Sequence, residues 1–502
     1  MRITRAMRIL CLFTLGLILA FGLLAAPAAA APVEPDPGTV HLEQPPREGP
    51  LGEALPLWSA LPFLGILLSI AVFPLLAPVF WHHHFGKISL AWSVIFAVPF
   101  LIAYRGQAVY EILHIYLADY LPFIILLGGL FTVSGGILIR GTLTGTPLVN
   151  LRLLAIGTFL ASLIGTTGAS MLLIRPVIRA NKGRKNKVHI IIFFIFLVSN
   201  IGGSLTPLGD PPLFLGFLRG VPFFWTLNLF PHMMFVVAVL LAMFFLMDTW
   251  LYRRERRAHP TPTEVEVTEP VRVLGLHNFL YLGGIIGAVL LSGLWKVGEF
   301  DLLGVHMAGQ NVIRDVLIVL FSLLSLRTTR PEYRRDNGFT WFPIQEVAIL
   351  FAGIFMTIIP ALAMLKAGEQ GPLASLVDAV VAPWQYLWAT GILSGFLDNA
   401  PTYLTFFNLA LGRLGLAEAQ VAPLLAGAAP GEVAAQFHVL LEAISVGAVF
   451  FGAYTYIGNA PNFMVRSIAE ENKIQMPSFF GFMAWSVAIL MPLFLLVTLI
   501  FF

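Results

Sequence analysis

Apolar runs long enough to cross a bilayer recur along the chain, separated by short polar or basic segments rather than by the alternating patterns of a soluble fold. Residues 57–80, 88–103, 122–139, 230–250, 279–297, 315–326, 345–365 and 480–502 read as spans, and the amphipathic stretch 104–120 reads as lying along the interface. Basic clusters mark one face by the positive-inside bias. They comprise His82, His83, His84 and Lys87; Arg140; Arg253, Arg254, Arg256 and Arg257; and Arg327, Arg330, Arg334 and Arg335. Residues 299–314 read as a loop on the opposite side.

Four apolar stretches do not fit a straight span. Residues 153–174 carry GTTGAS at their centre and have cations at both ends, Arg152 on one side and Arg175, Arg179, Lys182, Arg184, Lys185 and Lys187 on the other. Both ends on one face predict a re-entrant hairpin. Residues 384–411, with FLDNAPTYLTFF, have few cationic flanks and predict a second hairpin that opens from the other side. Residues 188–218 contain SNIGGSLTPLGDPPL, where Pro207, Pro211 and Pro212 remove backbone donors and Gly202, Gly203 and Gly209 permit unusual dihedrals. That segment predicts two half-helices with an unwound centre. Residues 438–465, with TYIGNAPN, predict another. Broken helices at membrane depth line ligand sites.

The pieces recur in order. LLGGLFTV resembles LFAGIFMT at an offset of 224 (355 − 131), the hairpin centres match at 232 (396 − 164), and TPLGDPP matches TYIGNAP at 249 (455 − 206). Charge placement gives the two halves opposite orientations, the plan of inverted-repeat secondary transporters. The expected fold is therefore an all-α polytopic membrane protein of two inverted-topology repeats, each with a re-entrant hairpin and a broken transmembrane helix. The expected organisation is a signal peptide at 1–31, a flexible extracytoplasmic tail at 32–56, repeat 1 at 57–251, a cytoplasmic linker at 252–276 and repeat 2 at 277–502.

Composition agrees. Hydrophobic residues make up 58% of the chain, charged residues 11%, and mean hydropathy is +0.85, against roughly a quarter charged in soluble domains. The net charge of +3 gives no footprint for nucleic acid. Arg2, Arg5 and Arg8 precede an apolar run and the small-residue stretch APAAAAP, the order of a cleaved signal peptide. This predicts a bacterial-type cytoplasmic membrane location with the mature N-terminus outside. Cys11, the only cysteine, lies within that segment, so a cleaved chain has no disulfide, thiolate metal site or cysteine nucleophile.

Two acids lie where a bilayer-buried chain should avoid them, Asp210 in the first broken helix and Asp398 in the second hairpin. Helix capping is the competing account of each, since Asp210 precedes Pro211 and Pro212, while Asp398 or Asn399 precedes Pro401. The two accounts coexist, because an acid favoured by a helix N-terminus and penalised by burial is suited to exchanging a proton for a cation. Hard-oxygen ligands for sodium surround the acids: the hydroxyls of Thr166, Thr167, Ser170, Thr206, Thr402 and Thr455, and the amides of Asn399, Asn459 and Asn462. Gly165, Gly209, Gly458, Pro211, Pro401 and Pro461 shape the backbone that would face the substrate.

The two hairpin centres and two broken-helix centres, GTTGAS, LDNAPT, TPLGDPP and YIGNAP, resemble those of the ion transporter superfamily over residues 57–502. That superfamily includes NhaD-type sodium/proton antiporters, arsenite permeases and citrate or dicarboxylate carriers, and LDNAPT and LGDPP look closest to NhaD-like and citrate-transporter-like sequences. The resemblance implies that hairpin tips and unwound segments form the sodium and substrate sites, in a homodimer with elevator-like motion. The Ser-Asn-Thr motif of dicarboxylate carriers is replaced by Gly165, Thr166, Thr167 and by Asp398, Asn399, Ala400. The expectation is thus a cation-coupled transporter, first a sodium/proton antiporter binding sodium and protons in competition at Asp398 and Asp210. The alternatives are a sodium- or proton-coupled citrate or dicarboxylate carrier, an arsenite-like efflux permease and an intramembrane enzyme. No cofactor is expected. Other polar residues have plainer readings: His189 and His438 as interfacial, Asp248 as a partner of the arginines that follow it, and Glu442 as a partner of His438.

Overall fold

A computed structural model describes residues 49–141, 143–258, 270–427 and 431–502. Ten helices among the described residues are long and apolar enough to cross a membrane. The first half contains α1 (Gly49–Ala54), α2 (Leu61–Leu76), α3 (Pro78–His114), α4 (Leu121–Ser134), α5 (Pro147–Ile164), α6 (Thr166–Ala180), α7 (Val188–Leu197), α8 (Pro211–Leu218) and α9 (Phe230–Ala258). The second contains α10 (His277–Leu294), α11 (Gly309–Thr328), α12 (Phe342–Lys366), α13 (Pro383–Phe396), α14 (Asn399–Leu414), α15 (Glu432–Phe451), α16 (Ala460–Glu471) and α17 (Phe479–Phe501).

The helices sort into two groups by their packing. In the outer group α2 packs on α3, α3 on α12, α10 on α11, and both of these on α4. In the inner group α5 packs on α6 and on the segment after α7, and α13 and α14 both pack on α15. The centre is set by α7, VHIIIFFIFL, whose residues from His189 onward are all buried. A helix apolar on every side has no face to give to solvent or lipid headgroups and goes to the middle.

Several expectations change. Glu299–Leu302 (β3) pairs with Val305–Ala308 (β4), and α11 already begins at Gly309, so residues 309–314 are helical rather than loop. Two further strands, Leu138–Arg140 (β1) and Arg272–Leu274 (β2), pair antiparallel with Leu138 opposite Leu274, stitching the start of the second half to the first. The described residues, otherwise mostly helical, therefore include four short strands. Helix α3 runs through residues expected as a span and an interfacial stretch, with a break at Arg105 (φ 45°). The end of the expected flexible tail is packed: Leu51 and Leu55 are buried, and α1 lies against α12. The expected signal peptide, residues 32–48 and linker residues 259–269 lie outside the described residues.

An ion cluster, buried at Arg219 and Asp119 and half-buried at Glu418 and Lys366, joins the two groups. Arg219, at the end of α8, donates to Asp119 at 2.6 Å and to Glu418 at 2.8 Å, and Lys366 at the end of α12 donates to Glu418 at 2.9 Å. Asp119 lies in the π-helical turn between α3 and α4, which is itself held by Tyr116 and Tyr120 hydroxyls donating to the carbonyls of Ala352 and Ala348. Burial alone would push the Glu418 carboxyl up, but Arg219 and Lys366 outweigh it and hold it at about 2.

The Arg219→Gln variant leaves two acids without their shared cation and should cost about 3–5 kcal/mol, measured as a lower thermal midpoint in detergent. Glu418 titrates below its unfolded value of about 4.3, so its contribution is complete above that pH and fades as pH falls toward the folded value. The difference in midpoint between wild type and Glu418→Gln should therefore be constant from about pH 8 to 5 and shrink in stronger acid.

Candidate functional site

Proline and glycine chemistry breaks the inner helices where the sequence requires it. Gly165 (φ 80°, ψ 150°) separates α5 from α6, a conformation that side chains with a Cβ avoid. Between α7 and α8 the chain passes through a 3₁₀ turn, Ile201–Leu205, and an extended Asp210 before Pro211 restarts the helix. At Gly209 a Cβ would lie 2.1 Å from the Gly203 carbonyl oxygen, so only glycine fits this close pass. The second half repeats the plan, with breaks at 397–398 between α13 and α14 and at 452–459 between α15 and α16.

All four breaks meet around Asp210, which is 1% exposed. Its Oδ1 accepts hydrogen bonds from the Thr166 hydroxyl at 2.9 Å and from Asn459 Nδ2 at 3.0 Å, and its Oδ2 accepts from Asn399 Nδ2 at 2.6 Å. Thr166 comes from the break between α5 and α6, Asn399 from the break between α13 and α14, and Asn459 from the break between α15 and α16. The Thr166 N–H also donates to the Gly209 carbonyl at 2.8 Å, docking the first tip on the first unwound segment. All three side-chain partners of Asp210 are neutral. Asn399 Oδ1, in a residue that is fully buried, has no hydrogen-bond partner among the described residues.

The geometry separates the two acids. Asp210 occupies an N-cap position without making a cap bond, whereas Asp398 does cap α14, accepting from the Ala400 N–H at 3.0 Å. Thr402 donates to the Asp398 carbonyl, one turn back. Asp398 thus makes the cap bond that Asp210 does not. Asp398 and Thr402 make no side-chain bond to Asp210.

Behind the junction a second shell ties off the freed backbone. Ser170 and Ser199 hydroxyls lie 2.8 Å apart, and Asn459 Nδ2 also donates to the Ser199 carbonyl at 3.1 Å. Asn462 donates to the carbonyls of Gly452 and Thr455, while its own Oδ1 accepts from Asn200 at 2.7 Å. Thr206 donates to the Ser162 carbonyl and Thr455 to the Gly395 carbonyl, so each unwound segment is braced against its own hairpin arm. Thr167 and Gly165, with Leu127, Leu130 and Phe131 of α4, line a cleft of about 20 Å³, room for about one water-sized species. Gly458 passes the Gly452 and Ser394 carbonyls, and Pro211 and Pro461 open α8 and α16, as Pro401 does in the first turn of α14. Asn200, Ser199 and Ser162 were not singled out from sequence; the signal available was polar residues within otherwise apolar runs.

The equivalent tip positions are Thr166 and Asn399, the first residues of α6 and α14, at an offset of 233 (399 − 166), one more than the sequence match gives. The braces agree, since Gly395 and Ser162 also differ by 233 (395 − 162).

Away from the junction, Asp248 pairs not with the arginines after it but with Arg184 at 2.7 Å, His189 at 2.9 Å and Asn150 at 3.0 Å. His189 is therefore a buried partner rather than an interfacial group. His438 and Glu442 lie 3.6 Å apart, as their spacing predicts.

A family model described as "Putative citrate transport" matches residues 52–502. No curated protein matches the chain.

Thr166→Val keeps the side-chain shape and removes one donor to a buried carboxylate, a loss of about 1.5–3 kcal/mol. Thr167→Val touches no bond of Asp210 and should stay within about 0.5 kcal/mol of wild type. Thermal midpoints of the two variants in the same detergent check this.

Proposed function

We propose that this chain, which belongs to the family described as "Putative citrate transport", exchanges sodium for protons at Asp210. It is a multi-pass membrane protein and a secondary transporter. The observation that carries the finer reading is a buried carboxylate whose three side-chain partners are all neutral donors, next to an amide oxygen, Asn399 Oδ1, that has no hydrogen-bond partner among the described residues. A charge held this way at membrane depth is neutralised by a proton or by a cation, and the two compete for the same oxygens. Thr166 Oγ1 and Asn399 Oδ1 would complete a hard-oxygen set for sodium. Asp398, Thr402, Thr167 and Ser170 would shape the approach rather than hold the ion.

In this reading the inner group moves against the outer group, exposing the junction alternately to the two sides. Two inverted repeats supply the two-fold relation that makes the inward and outward states alike, and the outer group pairs two copies in a homodimer. The protein would sit in a bacterial-type cytoplasmic membrane with its mature N-terminus outside.

A second reading has its own support. Helices α6, α8, α14 and α16 all begin at the junction, at Thr166, Pro211, Asn399 and Ala460, and their N-terminal ends favour negative charge. A citrate-like anion coupled to a cation at Asp210 fits that field and the family's description.

Reconstituted into vesicles with an internal pH dye, wild type should move protons when a sodium gradient is imposed. Asp210→Asn should abolish that movement, whereas Asp398→Asn, which changes a cap, should keep most of it. Proton movement that survives in Asp210→Asn rules out the assigned site. Sodium-driven uptake of labelled citrate without cation-driven proton movement replaces antiport with the second reading.

A further inference from the structure

Where α9 ends, a groove of about 530 Å³ opens between that helix and the first turn of α5. Arg253, Arg256 and Arg257 line it at one end, and Leu148 and Phe245 line it at the other. The three arginines are exposed. The neighbouring acid does not compensate them, because Glu255 is held by Arg184 at 2.8 Å and by the Asn186 N–H at 2.5 Å. Tyr252 forms part of the wall and lies under the Arg256 guanidinium, 5.8 Å from it. Trp250, 60% exposed, carries Arg254 over its ring at 5.6 Å on the same stretch of helix. Exposed aromatic rings stacked by arginines place this level of α9 at the headgroup zone. Leu148, 47% exposed, then lies at the apolar end of the same groove.

We propose that the groove binds an anionic phospholipid, with its phosphate on Arg253, Arg256 and Arg257 and an acyl chain along Leu148 and Phe245. Among the described residues no acid is paired with these three arginines, and guanidinium pairs match phosphate oxygens in two-point geometry. A free phosphate would satisfy the arginines but leave the apolar wall without a role. An amphiphile uses both ends. The bound lipid also bridges α9 to the start of α5, the first arm of the first hairpin, so that it steadies the root of the element that delivers Thr166.

The full-length protein in a neutral detergent is titrated with phosphatidylglycerol, phosphatidylcholine or inorganic phosphate, and bound lipid is counted by native mass spectrometry. Phosphatidylglycerol should be retained over phosphatidylcholine, and binding should weaken roughly fivefold for each arginine removed in an Arg253→Gln, Arg256→Gln, Arg257→Gln series. Arg254→Gln, at the same helix end but outside the groove, should bind as wild type does. Equal retention of the two lipids overturns the proposal. So does binding that ignores the three groove arginines, or equimolar inorganic phosphate displacing the lipid, which would mark a site for a free anion. If the triple variant does not fold, the single Arg256→Gln variant and the two-lipid comparison on wild type decide it alone.

Discussion

One carboxylate, Asp210, and three neutral donors from three other segments fix how the inner helices meet. Each donor sits at a helix break, and each break frees buried carbonyls that need partners from within the protein. Side chains therefore take over the work of the missing helical bonds. Asn462 covers the carbonyls of Gly452 and Thr455, Thr455 covers Gly395, Thr206 covers Ser162, and Asn459 covers Ser199 while also reaching Asp210. Without the carboxylate, the tips of both hairpins and the second unwound segment lose the one group they share.

The fold was largely legible because its signals are long-range and redundant. Spans announce themselves by length, and the breaks by proline and glycine in apolar runs, so all four helix breaks fall within the stretches where the sequence places them. The strand pairs were not legible: Leu138–Arg140 and Arg272–Leu274 are three residues each, too short to show a period, and their pairing depends on contacts across the two halves. Nor did spacing assign the buried charges. Asp248 has four arginines shortly after it in sequence, yet it bonds to Arg184 and His189 from the segment before α7 and its first turn, because packing rather than proximity decides which cation is desolvated beside it. Of the candidate site residues, Asp210, Asn399, Asn459 and Thr166 converge, while Asp398 and Thr402 serve the cap of α14. Sequence alone could not sort these, since either acid precedes a proline-bearing helix start.

The two ion clusters differ in what they join. Asp248 with Arg184, His189 and Asn150 lies wholly within the inner group, linking α5, α7 and α9. Arg219 instead reaches from α8 to Asp119 of the outer group, and Glu418 connects it to Lys366 at the end of α12. Buried ion pairs add little net stability over well-packed apolar groups but strongly penalise any arrangement that leaves one member unpaired. The first cluster thus keeps the inner group rigid. The second defines one position of that group against the other, and any motion between the groups must re-pair or rehydrate Arg219 and Asp119.

The repeated architecture carries an unequal chemistry, and the inequality has a physical reason. Asp210 and Asn459 are equivalent residues, 249 apart (459 − 210), each in an extended conformation before a proline-bearing helix start, and their side chains bond to one another at 3.0 Å. Were both acids, two carboxylates would face each other at hydrogen-bond distance in a dry site, and they could not both ionise. Were both amides, the junction would hold no charge for a cation to neutralise. One acid and one amide leave a single carboxyl group with a donor fixed beside it. The same division holds at the hairpin tips, where Thr166 and Asn399 are equivalent and both donate to that carboxyl group rather than adding to it. The junction thus sets one carboxylate among three neutral donors, with the second acid, Asp398, held in a cap one residue before Asn399.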